Sequence, residues 1–212
     1  MKSAIGASLI LAGFLLPCSD AFGQSKFALS VTAAPFFGHT KSRVEAMLPD
    51  PNGSGTPALQ VLRSESSPKG YWIGLGGRYS FSQKWSASTG LWFRNSVFKT
   101  STGNSRSYQF SIPFIANFQA SERKLSPYFS AGALWNFGTT SRVKIPDVGT
   151  VIFKSDRNTA KISPMVGAGV IYHFAQRLSL ITQPTFSYAI PPSRLDINAY
   201  QLGLHVQLML KL

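Results

Sequence analysis

Three features of the sequence predict an all-β fold. Eight segments alternate apolar residues with small or polar residues at a period of two, as β-strands with two different faces do. Charged residues make up only 14% of the chain, against roughly 25% in an ordinary soluble domain. The connections between the segments alternate between long and short. Together these features predict an eight-stranded antiparallel up-and-down transmembrane β-barrel.

The N-terminal segment has the organisation of a secretory signal peptide. Lys2 precedes an apolar run from Ala4 to Leu16, and Ala21-Phe22-Gly23 places small residues at a cleavage site. The apolar run is shorter than the roughly 20 residues that a transmembrane helix needs. We therefore predict a signal peptide over residues 1–23 and one barrel domain over residues 24–212.

Each predicted strand has an uncharged apolar face opposite a face of small or polar residues. This pattern is typical of a strand with lipid on one side and a narrow polar lumen on the other. Every segment reaches the roughly 9–11 residues that a tilted membrane strand requires. The strands are predicted over residues 27–37, 71–81, 85–97, 108–119, 128–137, 162–174, 178–190 and 200–212.

The connections predict how the barrel is oriented. Short turns are expected over residues 82–84, 120–126 and 175–177, and longer loops over residues 38–70, 99–107, 138–160 and 191–197. Bacterial barrels have short periplasmic turns and longer external loops, so both termini are predicted to be periplasmic. The first and third loops contain strand-like pairs that predict extensions of the sheet above the membrane: Arg43–Leu48 with Ala58–Arg63, and Val143–Ile145 with Thr150–Phe153.

A hairpin motif lies at the centre of the sequence. It begins with Tyr108-x-x-Ser111-Ile112-Pro113, continues through a short charged turn, and ends with Pro127-Tyr128 followed by Ala131-Gly132. The motif resembles the central hairpin of the PorT-like outer-membrane β-barrel family, which is widespread in Bacteroidetes. The resemblance implies a small outer-membrane barrel of a Gram-negative bacterium. It implies no particular activity, because the family is functionally heterogeneous.

The sequence offers few groups for catalysis or metal binding. Apart from Asp20 in the predicted signal peptide, every acidic residue falls in a loop or turn, so no strand carries paired carboxylates for general acid–base catalysis. The only cysteine also lies in the signal peptide, and three histidines without lumen carboxylates do not complete a metal site. We therefore predict no enzymatic activity, no cofactor and no metal.

Five inward-facing residues are candidate contacts for an ion or solute in the lumen: Arg78, Arg94, Trp92, Tyr128 and Asn136. The two arginines lie on neighbouring predicted strands, and no acidic residue shares the lumen with them. In one interpretation they hydrogen-bond to polar side chains and fill an interior that eight strands leave just wide enough for side chains. In the alternative interpretation they form an anion-attracting constriction.

The formal net charge of +13 is high enough for a nucleic-acid-binding protein. However, the basic residues are spread over loops and turns, without a basic helix or a recognised binding module. They suit the phosphates of lipopolysaccharide instead. The expected partners are therefore outer-membrane lipids and lipopolysaccharide, with periplasmic chaperones and the barrel-assembly machinery during biogenesis, and no nucleic acid.

The sequence thus favours a non-enzymatic outer-membrane barrel with a structural or surface-interaction role through its external loops. Three alternatives stay open. The first is a small anion-conducting or solute-binding, porin-like barrel with Arg78 and Arg94 in the lumen. The second is an outer-membrane lipid-modifying enzyme that uses His39 beside a serine. The third is a soluble periplasmic lipocalin-like carrier whose apolar faces line a ligand cavity.

Overall fold

In the part of the chain that the structure describes, all of the regular secondary structure is β-strand. The computed structural model describes residues 26–49, 57–100, 103–145, 149–155, 162–191 and 196–212, so the predicted signal peptide lies outside them. No helix in these ranges is long and apolar enough to cross a membrane. The strands are β1 (Phe27–Pro49), β2 (Pro57–Ser66), β3 (Lys69–Ser80), β4 (Trp85–Thr100), β5 (Gly103–Gln119), β6 (Leu125–Ile145), β7 (Gly149–Ser155), β8 (Ile162–His173), β9 (Leu178–Ala189) and β10 (Asp196–Lys211).

Eight of these strands close into a barrel in which each strand pairs antiparallel with both neighbours. The order around the barrel is β1, β3, β4, β5, β6, β8, β9 and β10, and β10 pairs with β1 to close it. The closing ladder extends from Ala28 opposite Lys211 to Arg43 opposite Asp196. The prediction of an eight-stranded antiparallel up-and-down barrel is confirmed. Closure satisfies the backbone groups that an open sheet edge would leave unpaired.

The alternation in the sequence becomes an alternation of burial. In β3, Trp72 is only 4% exposed, whereas its neighbour Ile73 is 51% exposed. In β5, Ser111 is fully buried and Phe114 is 55% exposed. The buried set points into the lumen and the exposed apolar set points outward. The predicted inward and outward faces agree with the structure in all eight barrel strands.

Both described chain ends lie at the same end of the barrel as the short turns. The Ser80 amide donates a hydrogen bond to the Lys26 carbonyl, and the Lys211 amide donates to the Arg177 carbonyl. The Leu212 amide donates to the carbonyl of Phe27, which joins the last and first strands at this end. We call this end the turn end, and the opposite end the loop end.

At the loop end the two pairs that the sequence predicts as extensions of the sheet are paired strands, and a third ladder continues further than the sequence predicts. β2 pairs with β1 as far as Pro57 opposite Pro49, and β7 pairs with β6 as far as Gly149 opposite Ile145. β4 and β5 remain paired up to Thr100 and Gly103, so the predicted loop over residues 99–107 is wrong and most of it is strand. Backbone hydrogen bonds form along a ladder whether or not its side chains alternate, so a polar stretch such as residues 103–107 gives no strand signal in the sequence.

An irregularity in β6 changes which residues face outward at the loop end. The β5–β6 register shifts between Tyr108 and Phe110, beside Gly138. Gly138 has a φ of 60°, in the left-handed region that a glycine adopts without a steric penalty. An extra residue in one strand reverses the face on which the following residues lie. As a result, Arg142 comes to lie opposite Arg106 on the outer surface.

Candidate functional site

The lumen contains two clusters of buried apolar side chains. The turn-end plug consists of Ala28, Tyr128, Ile171, Ile181 and Met209. The loop-end plug consists of Ala34, Phe36, Trp72, Trp92, Ile115, Leu134 and Met165. Side chains from most of the barrel strands therefore meet in the interior at two levels. An eight-stranded barrel is just wide enough for this filling.

Between the plugs lies a small polar cavity. Its volume is about 20 Å³, which suffices for about one water molecule. Polar groups from five different strands line it, and they include those of Ser30, Ser88, Asn117, Gln183 and His205. A cavity of this size with several hydrogen-bonding groups suits a buried water rather than a larger solute.

Hydrogen bonds connect the polar side chains of the lumen. The Ser111 hydroxyl donates to Asn136 Oδ1 over 2.6 Å, and Asn136 Nδ2 donates to the Ser163 hydroxyl over 2.9 Å. The Gln207 amide donates to Ser30 over 2.7 Å. These bonds satisfy buried groups that would otherwise lose the hydrogen bonds they make in water. Asn136, a predicted solute contact, is thus engaged by two serines of neighbouring strands.

Arg78 lies beside the turn-end plug and is 7% exposed. Its Nη1 donates to the Tyr128 hydroxyl over 3.4 Å and to the Met209 sulfur over 3.6 Å. The guanidinium carbon also lies 5.3 Å from the centroid of the Tyr128 ring, within the range of a cation–π interaction. Arg78 therefore connects β3 to β6 and β10 across the lumen.

Arg94 lies beside the loop-end plug and is held by aromatic rings. Its guanidinium carbon lies 5.4 Å from the Phe36 ring centroid and 5.5 Å from the Trp72 ring centroid. Its Nε atom is buried without a hydrogen-bond partner. Trp92, another predicted solute contact, packs edge-on against Trp72 at 6.1 Å. The rings thus stabilise the buried cation mainly through their faces.

The two arginines lie at opposite levels of the lumen. Arg78 is opposite Ser88 and Arg94 is opposite Trp72 in the ladder between β3 and β4. Six residues along either strand therefore separate them, or about 20 Å at roughly 3.3 Å per residue. This corrects the alternative in which both arginines form one constriction, because the antiparallel register places them near opposite ends.

The three histidines also lie apart. His39 belongs to β1 rather than to a loop, where its Nε2 lies 3.3 Å from Glu65 Oε1 and its ring lies 5.5 Å from that of Tyr200. His173 contacts Gln119 and Ser179. His205 packs 5.0 Å from the ring of Trp92. The described ranges accordingly contain no group of three side chains able to hold a metal.

Sequence reasoning missed several partners of the arginines. The Trp72–Arg94 pairing follows from the short turn over residues 82–84, which brings Ser86 opposite Ser80 and so fixes the register. No local feature of the sequence predicts that Phe36 and Met209 contact the arginines. Phe36 reaches Arg94 because β1 pairs with β3, the strand beside β4, and Met209 reaches Arg78 because the barrel closes through β1 and β10.

The outer surface carries an apolar band around the whole barrel. Exposed aromatic or aliphatic side chains occur on every barrel strand; they include Leu29, Leu75, Leu91, Phe114, Trp135, Val166, Phe186 and Leu204. Leu75 is 66% exposed. This corrects the lipocalin-like alternative, because the apolar faces lie outside and do not line a cavity.

Solved structures share this architecture at low sequence identity. Neisserial surface protein A (NspA) is 15% identical, with a TM-score of 0.55, over 90% of this chain and 99% of that chain. The outer membrane protein OprG from Pseudomonas aeruginosa is 14% identical over 90% and 96%, with a TM-score of 0.40. Ail of Yersinia pestis is 15% identical over 83% and 97%, with a TM-score of 0.37. No protein-family profile and no curated protein matches the sequence. The likeness to NspA shows the fold.

Proposed function

We propose that this protein is an integral outer-membrane β-barrel with no enzymatic activity and with a structural or surface-interaction role at its loop end. The apolar band around the closed barrel carries this proposal. Soluble monomers rarely expose apolar patches larger than a few hundred Å². A band that continues around all eight barrel strands fits a surface covered by lipid.

Aromatic side chains at both ends of the band support a membrane location. At the turn end Trp85 packs against Phe118 at 4.9 Å, and Tyr172 packs against Phe174 at 6.4 Å. At the loop end Phe186 packs against Tyr200 at 6.3 Å. Girdles of this kind flank the apolar band of outer-membrane barrels, where aromatic rings meet the lipid headgroups.

The proposed orientation places the turn end in the periplasm and the loop end outside. The short turns and both described chain ends support it, as does the signal peptide that the sequence predicts. The motif around Ile112-Pro113 further suggests membership of the PorT-like family. Lipopolysaccharide would then surround the loop end, and periplasmic chaperones and the barrel-assembly machinery would act on the chain during biogenesis.

The filled lumen supports a surface role over conduction. Both plugs contain several large side chains, and the cavity between them has room for about one water molecule. In contrast, the paired extensions β1–β2 and β6–β7 rise from the loop end, where a partner would meet them.

Cell fractionation combined with gel mobility tests the proposal. A closed barrel resists SDS when cold and migrates faster than its heated, unfolded form. We expect the protein in the outer-membrane fraction, with a mobility shift on heating. Recovery of a folded protein in the soluble periplasmic fraction would contradict the proposal.

Charged substitutions at two depths provide a sharper test. Leu75→Arg places a cation in the middle of the band and should destabilise the barrel by about 2–4 kcal/mol, whereas Phe81→Arg at the turn end should cost about 0–1 kcal/mol. The measurement is urea unfolding in lipid vesicles. Equal costs at the two positions would argue that no lipid surrounds the band.

Epitope insertion tests the proposed orientation. One tag is placed between β1 and β2 at the loop end, and the matched tag is placed in the turn at residues 82–84. Antibody should label intact cells that carry the first tag and should label the second only after the outer membrane is opened. The reverse pattern would place the loop end in the periplasm.

A further inference from the structure

Three rows of outward side chains cross β3, β4, β5 and β6 at the loop end. The lowest row is Ile73, Phe93, Phe110 and Phe137; the middle row is Tyr71, Asn95, Tyr108 and Thr140; the upper row is Lys69, Val97, Arg106 and Arg142. The members of each row are opposite one another in the ladders. They therefore lie about 5 Å apart along a row, and successive rows lie about 7 Å apart.

The rows change from apolar to cationic over this short distance. In the lowest row the Phe93 and Phe110 rings pack at 5.3 Å. In the middle row Asn95 Nδ2 donates to the Tyr71 hydroxyl over 3.1 Å, and the Tyr108 ring stacks 6.0 Å from that of Phe93. Tyrosine places an apolar ring towards the lipid and a hydroxyl towards water. The upper row therefore lies at the depth of the lipid headgroups.

Two arginines in the upper row face each other, and no described acidic residue pairs with either of them. Arg106 and Arg142 are directly opposite in the ladder, and both are exposed. Like charges in directly opposite positions destabilise a sheet. Arg142 lies 5.7 Å from the Tyr108 ring, and neither arginine forms an ion pair within the described ranges. An anion between the two guanidinium groups would convert this repulsion into attraction.

Other cations at the loop end do have a carboxylate nearby. On β1, His39 and Lys41 lie 3.3 Å and 4.0 Å from the carboxylate of Glu65. That carboxylate already balances part of the positive charge there. The described members of the upper row include no such group.

We propose that Lys69, Arg106 and Arg142 bind the phosphate groups of a glycolipid headgroup in the outer leaflet, while its acyl chains cover the aromatic row below. This inference rests on the proposed membrane location and specifies its lipid partner. Guanidinium groups match phosphate oxygens with paired hydrogen bonds. A lipid fits better than a free anion because the cations continue directly into an apolar surface.

Binding of diphosphorylated lipid A to the full barrel in detergent micelles tests the site. Arg106→Gln combined with Arg142→Gln should weaken binding at least about tenfold for each arginine, because each substitution removes a charge-assisted hydrogen bond to phosphate. The matched control combines Arg123→Gln with Lys124→Gln, which removes the same charge at the turn end. That control should change the affinity less than about twofold, because Arg123 and Lys124 lie at the opposite end of the barrel from the site.

Three further ligands show whether the site binds a glycolipid phosphate, a free anion or any anionic lipid. Dephosphorylated lipid A should bind the wild-type barrel as weakly as the double variant binds the diphosphorylated form. Equally tight binding of inorganic phosphate would overturn the assignment in favour of a free anion. Equally tight binding of phosphatidylglycerol would overturn it in favour of any anionic lipid.

The heated gel shift is measured on every preparation. In one outcome, the wild-type protein shifts on heating and fractionates with the outer membrane, while the double glutamine variant binds lipid A as tightly as the control variant does. That result refutes the glycolipid site and leaves the proposed function intact. A soluble wild-type protein refutes the proposed function itself. Should the glutamine variant not fold, Arg106→Lys with Arg142→Lys keeps the charge but loses the paired geometry, and should retain an intermediate affinity.

Discussion

The two ends of the lumen hold a buried arginine in different ways. At the turn end, Arg78 on β3 donates hydrogen bonds to Tyr128 on β6, three strands away, and to Met209 on β10, two strands away. At the loop end, Arg94 on β4 lies near the rings of Trp72 on the neighbouring strand β3 and of Phe36 on β1, two strands away. The first arginine therefore donates hydrogen bonds as far as the third strand along, whereas the second contacts aromatic rings no more than two strands away.

This difference indicates that the turn end is braced across the lumen and the loop end is braced mainly by close packing. The hydrogen bonds that Arg78 donates depend on direction as well as on distance. Ring faces accept a guanidinium over a broader range of positions. The loop end therefore depends on the shapes of its large side chains, above all Trp72 and Trp92.

Among the variants that test this comparison, the largest loss of stability is expected from one that disturbs the packing at the loop end. Gly74 lies opposite Trp92 in the ladder, and a Cβ atom there would overlap the indole ring. Gly74→Ala should lower the free energy of unfolding by about 1–3 kcal/mol, the usual cost of overpacking. Urea titration followed by tryptophan fluorescence and by the heated gel shift measures it.

A glycine three residues further along β3 is the matched control. A Cβ atom at Gly77 would meet nothing within 4 Å. Gly77→Ala should therefore leave the free energy of unfolding within about 0.5 kcal/mol of wild type. Equal losses for the two variants would show that the effect comes from the backbone and not from Trp92.

A smaller effect is expected from the brace at the turn end. Tyr128→Phe keeps the ring but removes the hydroxyl that accepts from Arg78, and it should cost about 0.5–1.5 kcal/mol. Tyr79→Phe, on the exposed outer face, is the control and should cost less. An unchanged midpoint of urea unfolding for Tyr128→Phe would mean that Arg78 does not brace this end.

The ion pairs on the outer surface should matter less still. Glu65 contacts both His39 and Lys41, and its side chain is 62% exposed. Glu65→Gln should change the free energy of unfolding by about 0–1 kcal/mol, as is usual for exposed pairs. A loss above 2 kcal/mol, measured by the same urea titration, would reveal a role for Glu65 beyond these contacts.

No ion conductance is expected from the wild-type barrel or after truncation of either arginine. With Arg94→Ala the turn-end plug remains, and with Arg78→Ala the loop-end plug remains. Planar bilayers containing the wild-type barrel or either variant should show no conductance steps. Wild-type steps whose anion preference falls with Arg94→Ala would instead support the conducting alternative.

The sequence predicts the faces of the strands because burial alone decides them. Trp72 and Ile73 are adjacent, and one faces the lumen while the other faces outward. Above the apolar band the sequence predicts the extensions β1–β2 and β6–β7, whereas the strand over residues 99–100 and 103–107 escapes prediction because a polar ladder needs no apolar face. Contacts across the lumen, such as Arg78 with Met209, depend on how the closed sheet is sheared, and no local pattern encodes that.

The seam between β1 and β10 has a consequence for how this chain reaches its native state. Ala28 pairs with Lys211, so this ladder joins residues separated by nearly the whole chain, whereas other seams join strands close in sequence. Contacts of such high sequence separation form slowly because a large loop must close first. Until β10 arrives, the nascent barrel has open edges on β1 and β9 that favour misassembly. Closure is therefore the step at which a shielding chaperone would matter most.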